Sequence, residues 1–288
     1  MTRRRPAPLP VRDGLGPARL RLHGGPVADE LHARFGPAAR AKVAAGEVVC
    51  ADGTVVDDAT VLPAGSAVYL YRELPDEVSV PFEIPILYRD DNLVVVDKPH
   101  FLATMPRGRH VTQTALVKLR RRLDLPELSP AHRLDRLTAG VLVFTTRREM
   151  RGAYQQLFAR GAVAKTYLAC SSARPPISFP RLVQSHIVKR RGCLQAVEVP
   201  AEAPNAETLI EAEGDGRYRL TPYTGRTHQL RVQLAAIGLP IDGDPLYPHV
   251  LDPALESFAR PLRLLAYRLE FDDPITGRHH RFVSQRCV

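Results

Sequence analysis

The amino-acid sequence predicts a protein that mixes α-helices with β-strands in a small and a large domain. Short apolar runs bounded by turn residues, at 93–96 and 141–144, are typical of buried strands. Apolar residues at helical spacing within residues 112–123 predict a helix between these two runs. With 288 residues, of which 44% are apolar, the chain is long enough for one large domain and a small one.

The composition indicates a partner that carries phosphate groups. The net charge is +9, and only five of the 40 basic residues are lysine. Such a surplus of arginine suits binding to a nucleic-acid backbone. A genome that prefers arginine codons is an alternative explanation for the ratio of arginine to lysine, but it explains the net charge less readily.

The cysteines and the apolar runs indicate the cellular location of the protein. The four cysteines form no C-x-x-C pair, which argues against a zinc site or a disulfide framework and fits a reducing cytosol. No apolar run approaches membrane-spanning length, and the first ten residues lack the apolar core of a signal peptide. We therefore expect a soluble, cytoplasmic protein.

The N-terminal third predicts an arm, a small module and a linker. Residues 1–19 are rich in arginine and proline and predict a basic flexible arm, which either touches RNA or is solvated. Residues 20–74 predict a compact α/β module, with Leu31, Phe35 and Val43 on apolar helix positions. The prolines and acids of residues 75–85 predict a linker to the second domain, 86–288.

A charged turn before the second apolar run is the candidate for chemistry. Residues 131–144 are A-H-R-L-D-R-L-T-A-G-V-L-V-F, so Asp135 lies at the mouth of a strand between Arg133 and Arg136. Neighbouring guanidiniums lower the pKa of a carboxyl, and an ionised Asp suits nucleophilic attack or charge stabilisation. The alternative for Asp135 is a structural ion pair.

Two later segments carry further candidates. Residues 225–231 are G-R-T-H-Q-L-R, in which Thr227 is the predicted N-cap of a helix. Arg226 and His228 would then lie at a helix N-terminus, where backbone N–H groups attract anions. Tyr167 lies in an alternating segment, residues 165–169, that predicts a strand with a half-buried tyrosine.

The three segments resemble the RluA-type family of RNA pseudouridine synthases. Residues 132–140 are similar to the family's H-R-L-D-x-x-T-S-G with Ala139 in place of Ser, residues 165–169 to K-x-Y-x-A, and residues 225–231 to G-R-T-H-Q-L-R without departure. The similarity continues through G-x-P-I-x-G-D-x-x-Y at 238–247 and covers about residues 85–285.

Two other positions depart from the family's pattern. Phe101 replaces the glycine of the motif that begins at Lys98-Pro99, so we expect the loop to rearrange away from a positive-φ path. Leu265 replaces the histidine of the family's L-H-A.

The resemblance implies an α+β fold: a mixed, mainly antiparallel central sheet with flanking helices and a catalytic cleft, plus a small N-terminal S-four-like module. It implies that Asp135 is the nucleophile, that Arg231 pairs with it and aims it, and that Tyr167 stacks on the uracil and moves a proton. The residues implied in substrate and RNA binding are His132, Arg133, Arg136, Thr138, Arg226, His228 and Leu264.

The implied reaction is the isomerisation of a uridine in ribosomal or transfer RNA by a monomeric enzyme. Since the reaction involves neither redox change nor hydrolysis, no cofactor or metal is expected. Asp135 either attacks the anomeric carbon or assists formation of a glycal, and the target nucleotide must first flip out.

A two-carboxylate hydrolase is disfavoured because no second acid accompanies Asp135. The alternative is a non-catalytic RNA-binding or ribosome-assembly protein, which the changes at Phe101, Ala139 and Leu265 would motivate.

Overall fold

The structure is a computed structural model that describes residues 7–74, 76–251 and 258–288. It divides the chain into two compact units, Met1–Glu77 with Arg120–Pro126, and Val78–Leu119 with Glu127–Val288. The described helices are α1 (Val27–Phe35), α2 (Pro37–Ala44), α3 (Ala115–Leu123), α4 (Arg151–Ala159) and α5 (Gln229–Ala236). The described strands are β1 (Ala18–Arg21), β2 (Gly25–Pro26), β3 (Val49–Cys50), β4 (Val61–Leu62), β5 (Ala67–Leu70), β6 (Ile86–Arg89), β7 (Leu93–Lys98), β8 (Ser129–Pro130), β9 (Ala139–Thr145), β10 (Ala164–Cys170), β11 (Arg181–Ser185), β12 (Ile187–Val188), β13 (Val197–Glu198), β14 (Ala206–Gly214), β15 (Arg217–Pro222), β16 (Leu264–Asp272) and β17 (His279–Val283).

The smaller unit packs α1 and α2 against short antiparallel strands. Strand β5 lies between β1 and β3, and β2 pairs with β4. Helix α1 ends at Gly36, whose φ of 82° favours glycine, and Pro37 then begins α2. The core of this unit consists of Leu22, Val27, Ala28, Leu31, Ala39, Val43, Val48, Val56, Val68 and Leu70.

One expectation for the N-terminal region needs correction. Phe35 does not belong to the apolar face of α1, because half of its surface is exposed. Residues 1–6 of the predicted arm lie outside the described residues. Further along, the Tyr71 hydroxyl donates to the carbonyl of Pro10 at 2.8 Å, and the Arg12 guanidinium lies 4.2 Å from the centre of the Tyr71 ring. The described part of the arm therefore packs on the small unit before β1 begins.

The larger unit is built on one sheet. Its strand order is β11-β14-β15-β10-β16-β9-β7-β6, with β17 paired to β16 and β8 paired to β9. Among the described strands of this sheet, β16 and β9 pair in parallel and the other pairs are antiparallel. The predicted α+β fold with a mixed, mainly antiparallel sheet is confirmed. Strands β7 and β9 are buried at every position, as their apolar runs predicted.

Gly140 allows the parallel pair at the centre of this sheet to form. Its φ is 116°, and it lies opposite Ala266 on β16. A Cβ at this position would lie 2.2 Å from the carbonyl oxygen of Ala266, a distance that no side chain tolerates. The T-A-G sequence thus brings the start of β9, and with it the turn that carries Asp135, directly against β16.

Two helices, α3 and α5, begin later than the sequence predicted. The Thr114 hydroxyl accepts from the N–H of Val117 at 3.2 Å, so Thr114, not Thr112, caps α3. Helix α5 begins one residue later than predicted, after His228 in the left-handed conformation. Thr227 is not its cap, because His228 occupies the N-cap position and makes no side-chain capping hydrogen bond. No helix in residues 7–74, 76–251 and 258–288 has the length and apolar character needed to span a bilayer.

The expected rearrangement of the loop after Pro99 does not occur. Phe101 keeps a positive φ of 64°, the conformation that a glycine would adopt more easily. Its buried ring lies 6.2 Å from that of Phe82 and 5.4 Å from that of Phe258, measured between ring centres. Aromatic packing therefore offsets the backbone strain at this position.

Replacing Phe101 with Gly is expected to lower the free energy of unfolding by about 2 kcal/mol. Glycine would relieve about 1–2 kcal/mol of left-handed strain, but the loss of a buried phenyl ring costs about 3–5 kcal/mol. Urea denaturation followed by circular dichroism measures the difference. A Phe101→Gly protein more stable than the wild type would show that strain outweighs packing.

Candidate active site

A cleft of about 540 Å³ opens in the larger unit. The loop of residues 129–135, the turn residue Thr138 and the segment of residues 222–231 line it, together with side chains from β10, β16 and α4. The cleft brings together nine of the ten predicted site residues, namely His132, Arg133, Asp135, Thr138, Tyr167, Arg226, His228, Arg231 and Leu264. Arg136 is half-buried and lies outside the lining in the described part of the chain.

Short hydrogen bonds fix the backbone around Asp135. The N–H of Thr138 donates to the Asp135 carbonyl at 3.1 Å and closes a turn before β9. On the other side, the buried Thr104 hydroxyl donates to the carbonyl of Leu134 at 2.8 Å and accepts from its N–H at 3.2 Å. The Asp135 backbone is thus held from both sides.

Lys98 adds a buried cation behind the same loop. Its Nζ, fully buried, donates to the carbonyl of Arg136 at 3.3 Å and to those of Pro99 and Leu102 at 2.9 and 2.8 Å. Burial lowers the pKa of Lys98 to about 7, and the negative charge of Asp135 opposes that shift. Lys98 therefore ties the loop after β7 to the residue that follows Asp135.

The Arg231 guanidinium lies against Asp135, which is the pair that the resemblance implied. Arg231 Nη1 lies 3.4 Å from Asp135 Oδ2. Its Nε and Nη2 donate to the two carboxylate oxygens of Asp244, each at 2.7 Å. This fork-to-fork pair is almost completely buried, whereas 26% of the Asp135 side chain is exposed in the cleft.

Asp244 keeps Arg231 charged in spite of its burial. Burial alone lowers the pKa of Arg231, but the hydrogen bonds and charge of Asp244, with a smaller contribution from Asp135, raise it above the ordinary value. Arg231 is therefore a permanent, aimed positive charge at the base of the cleft.

Two buried glutamines hold α5 against β14. The Gln233 carboxamide accepts from the Thr208 hydroxyl at 2.7 Å and donates to Ser185 Oγ at 2.9 Å. Gln229 donates to Thr208 Oγ1 at 2.9 Å, and its oxygen accepts from Thr224 at 2.8 Å. These bonds satisfy buried polar groups and fix the helix that carries Arg231.

His228 stands between Asp135 and Tyr247. Its Nε2 lies 3.9 Å from Asp135 Oδ2, and its Nδ1 lies 2.9 Å from the Tyr247 hydroxyl. Burial lowers the pKa of His228, and the charge of Asp135 partly opposes the shift. The ring is therefore a neutral imidazole near neutral pH.

His132 packs within the protein. Its ring stacks on that of Phe158, with 4.2 Å between ring centres, and its Nε2 accepts from the N–H of Val143 at 3.2 Å. Burial lowers the pKa of His132 to about 3. A neutral ring whose nitrogen already accepts a hydrogen bond anchors the turn on β9, and it brings no positive charge to a phosphate.

The remaining residues form the wall and rim of the cleft. Tyr167 on β10 is half-buried, and burial, together with the charge of Asp135, raises the pKa of its phenol well above the ordinary value. Leu264 at the start of β16 supplies a buried apolar surface. Arg133 and Arg226 are exposed at the rim, where Arg226 Nε donates to the Asn205 carbonyl at 3.0 Å.

The sequence pointed to no role for several residues that build this site: Lys98, Thr104, Gln233, Asp244 and Tyr247. Lys98 lies in the K-P motif, and Asp244 and Tyr247 lie in G-x-P-I-x-G-D-x-x-Y, so a signal for these three was present. Nothing in the sequence marked Thr104, because a single threonine in a loop has no pattern that indicates its partner.

Replacing Asp244 with Asn is expected to lower the free energy of unfolding by about 3 kcal/mol, because it leaves a buried guanidinium without its main counter-charge. The Arg231 side chain would also no longer be held in position against Asp135, so the rate of a reaction at this carboxylate should fall by about 10²-fold. Urea denaturation and single-turnover kinetics measure the two effects. The control is Asp242→Asn, since Asp242 bonds Ser172 instead of Arg231. Equal effects of the two substitutions would contradict the role of Asp244.

Comparisons with known proteins identify the family of this chain. A sequence model of the RNA pseudouridylate synthase family matches residues 92–236. The dual-specificity RNA pseudouridine synthases RluA of Yersinia pestis and of Escherichia coli K12 are each 32% identical to the chain. The alignments cover 69% of this chain in both cases, with 98% of the first relative and 91% of the second.

Solved structures give the same result for the fold. Human RNA pseudouridylate synthase domain containing 4 superposes with a TM-score of 0.54 at 28% identity, over 70% of this chain and 88% of that one. Human RNA pseudouridylate synthase domain containing 1, at 24% identity, shares the fold with a TM-score of 0.57, over 73% of this chain and 86% of that one. The fold is therefore that of RNA pseudouridine synthases. The chain belongs to the RluA-type family of RNA pseudouridine synthases, which are intramolecular isomerases.

The three departures from the family's pattern lie away from the chemistry. Ala139 and Leu265 are fully buried where β9 meets β16, and Phe101 is buried in its aromatic cluster. None of the three is among the residues described as lining the cleft. The changes that motivated a non-catalytic protein are thus packing changes.

Proposed function

We propose that the protein converts a specific uridine of a structured ribosomal or transfer RNA to pseudouridine, with Asp135 as the nucleophile. The observation that carries this proposal is the arrangement of Asp135, Arg231 and Asp244. A partly exposed carboxylate faces the cleft and is held by a guanidinium that is itself fixed by a buried carboxylate. The enzyme acts without metal or cofactor, because the reaction only moves a glycosidic bond and a proton.

The roles of the other residues follow from their positions. Asp135 either attacks the anomeric carbon of the ribose or assists departure of the uracil as a glycal forms. Arg231 holds the carboxylate in position for this step. Tyr167 stacks on the flipped uracil, opposite the apolar wall of Leu264. A stacked uridine cannot reach the base of the cleft, so the target flips out at a cost of a few kcal/mol. Arg133 either fills the space that the flipped nucleotide leaves in the RNA or binds the adjacent phosphate.

The exposed arginines at the rim are proposed to contact RNA phosphates. Replacing Arg133 or Arg226 with Gln should lower the slope of log affinity against log salt concentration by about 0.7–0.9 for each phosphate that the variant no longer neutralises. Filter binding from low to moderate salt measures the slope. The control is Arg281→Gln on β17, since that side chain pairs with Glu270 and is not among the described cleft residues. An unchanged slope in both rim variants would contradict this role.

We propose further that the smaller unit is an S-four-like module joined to a catalytic domain at residues 86–288. Its two helices packed on short strands support this assignment. The module has little free positive charge on α2, because Arg40 pairs with Asp29 at 3.0 Å and Lys42 with Glu47 at 3.1 Å. We infer that the cleft, and not this helix, selects the RNA, and that the protein acts as a monomer in the cytoplasm.

Unmodified transcripts of ribosomal and transfer RNA, labelled with tritium at carbon 5 of uridine, test the function. The wild-type protein is expected to release tritium from one of the two classes of RNA, up to a plateau set by the number of target sites. Mapping pseudouridine in the same RNA identifies the target. A protein that binds both transcripts tightly but releases no tritium from either would contradict the proposed substrate classes.

A further inference from the structure

The isomerisation requires a base at C5 of the uracil, a task that the resemblance implied for Tyr167. This inference rests on the proposed function. When C5 of the turned uracil bonds to the anomeric carbon, C5 still carries its hydrogen. The C–H electron pair must then return to the ring to restore the C5–C6 double bond, while N1 takes up one proton. A group in the cleft therefore accepts a proton from C5, and the same proton or one from water reaches N1.

Most polar groups of the cleft are poorly suited to accept this proton. The phenol of Tyr167 holds its own proton tightly, because burial raises its pKa. The Nε2 of His132 already accepts from the Val143 N–H. The ammonium group of Lys165 donates to the Thr224 carbonyl at 3.4 Å. Asp135 is engaged at the sugar.

The contacts of Tyr247 determine which nitrogen of His228 is free. The Tyr247 hydroxyl donates to the carbonyl of Ala196 at 3.0 Å and accepts from the N–H of the same residue at 2.7 Å. When the single hydrogen of the hydroxyl points to the Ala196 carbonyl, the hydroxyl meets His228 Nδ1, 2.9 Å away, as an acceptor. We infer this arrangement, in which His228 carries its proton on Nδ1 and presents the lone pair of Nε2.

His228 Nε2 lies in the same cleft as Asp135, where the proposed substrate must lie. Nε2 is 3.9 Å from Asp135 Oδ2, the histidine side chain is only 12% exposed, and the residue lines the cleft. We propose that His228 Nε2 is the base that accepts the proton from C5 of the re-bonded uracil, and that Tyr247 positions it by fixing the tautomer. His228 is then a catalytic residue, and Tyr247 is a positioning residue.

The charges around His228 suit both the neutral ring before proton transfer and the imidazolium after it. The groups that face it are Asp135, Arg231, Asp244, Tyr247 and Lys189. Burial together with Arg231 and Lys189 lowers the pKa of His228 and keeps the resting ring neutral and able to accept. After the transfer, the carboxylates of Asp135 and Asp244 stabilise the imidazolium until it returns the proton to N1 or to water.

The backbone at residue 228 dictates which variants to use. His228 has a φ of 60°, a conformation that asparagine and glycine tolerate better than other residues. His228→Asn and His228→Gly should therefore keep the fold and remove the base. Circular dichroism checks that the variants fold, and filter binding to unmodified transcript sets the concentration at which each variant is saturated with RNA, so that rates of the chemical step are compared.

Single-turnover kinetics on RNA with hydrogen or deuterium at C5 of uridine tests the inference. We expect His228→Asn to form pseudouridine about 10²-fold more slowly than the wild type, with a deuterium isotope effect larger than that of the wild type. Added imidazole should restore the rate of His228→Gly but not that of Asp135→Asn. Tyr247→Phe should show a smaller loss of rate and a changed pH profile, because the tautomer of His228 is no longer fixed by the Tyr247 hydroxyl.

A His228→Asn rate within threefold of the wild type would overturn the inference. A slower rate without an increased isotope effect, together with no rescue of His228→Gly by imidazole, would also overturn it and leave His228 with a structural role. Failure of the proposed function is distinguishable, because in that case the wild-type protein itself would form no pseudouridine on the same RNA.

Discussion

Replacing Asp135 with Asn is expected to reduce pseudouridine formation by at least about 10³-fold, because the amide is neither a nucleophile nor a negative charge beside the sugar. The amide has nearly the same size as the carboxylate and can still accept from Arg231, which lies 3.4 Å away. The cleft should therefore keep its shape. Single-turnover rates on unmodified transcript measure the chemical step.

RNA affinity separates a chemical effect from a binding effect in this variant. The dissociation constant of Asp135→Asn should match the wild-type value, since the proposed phosphate contacts come from the rim. The control is Asp215→Asn, an exposed carboxylate in the turn between β14 and β15 with a φ of 49°, where asparagine is well tolerated. Near-wild-type turnover by Asp135→Asn would rule out the nucleophile.

Replacing Gly140 with Ala is expected to lower the free energy of unfolding by about 4 kcal/mol or more, which places it among the most severe single substitutions. The added Cβ would lie 2.2 Å from the Ala266 carbonyl oxygen, so β9 and β16 must move apart at the centre of the sheet. The positive φ of 116° adds strain for any residue other than glycine. Thermal and urea denaturation measure the loss.

The control for Gly140 is a glycine without these constraints. Gly152 lies in α4, and a Cβ there would meet nothing within 4 Å. Gly152→Ala should therefore stabilise the protein by about 0.5–1 kcal/mol. A Gly140→Ala protein as stable as the wild type would mean that β9 and β16 do not approach as closely as the structure shows.

The parts of this fold that depend on neighbours in the chain could be predicted from the sequence. Strands β7 and β9 follow from their apolar runs, and the end of α1 at Gly36 follows from its Gly-Pro pair. The family and the identity of the candidate nucleophile follow from motifs that each lie within ten residues. Local patterns carry such information because they reflect backbone propensity and burial.

Contacts between distant segments could not be predicted in this way. The Asp244 carboxylate that fixes Arg231 and the Thr104 hydroxyl that holds Leu134 are brought there only by the tertiary fold. The positive φ of Phe101 depends on two rings far away in the chain. The helices α3 and α5 begin after Thr114 and His228, at other residues than the threonines that the local sequence favoured.

The most direct test of the site is to count tritium released from C5 and pseudouridine formed in the same reaction. For the wild-type protein on its target RNA, we expect one tritium released for each pseudouridine, and neither product from Asp135→Asn under the same conditions. Tritium release without pseudouridine, or equal yields from the wild type and Asp135→Asn, would contradict isomerisation of uridine by Asp135 in this cleft.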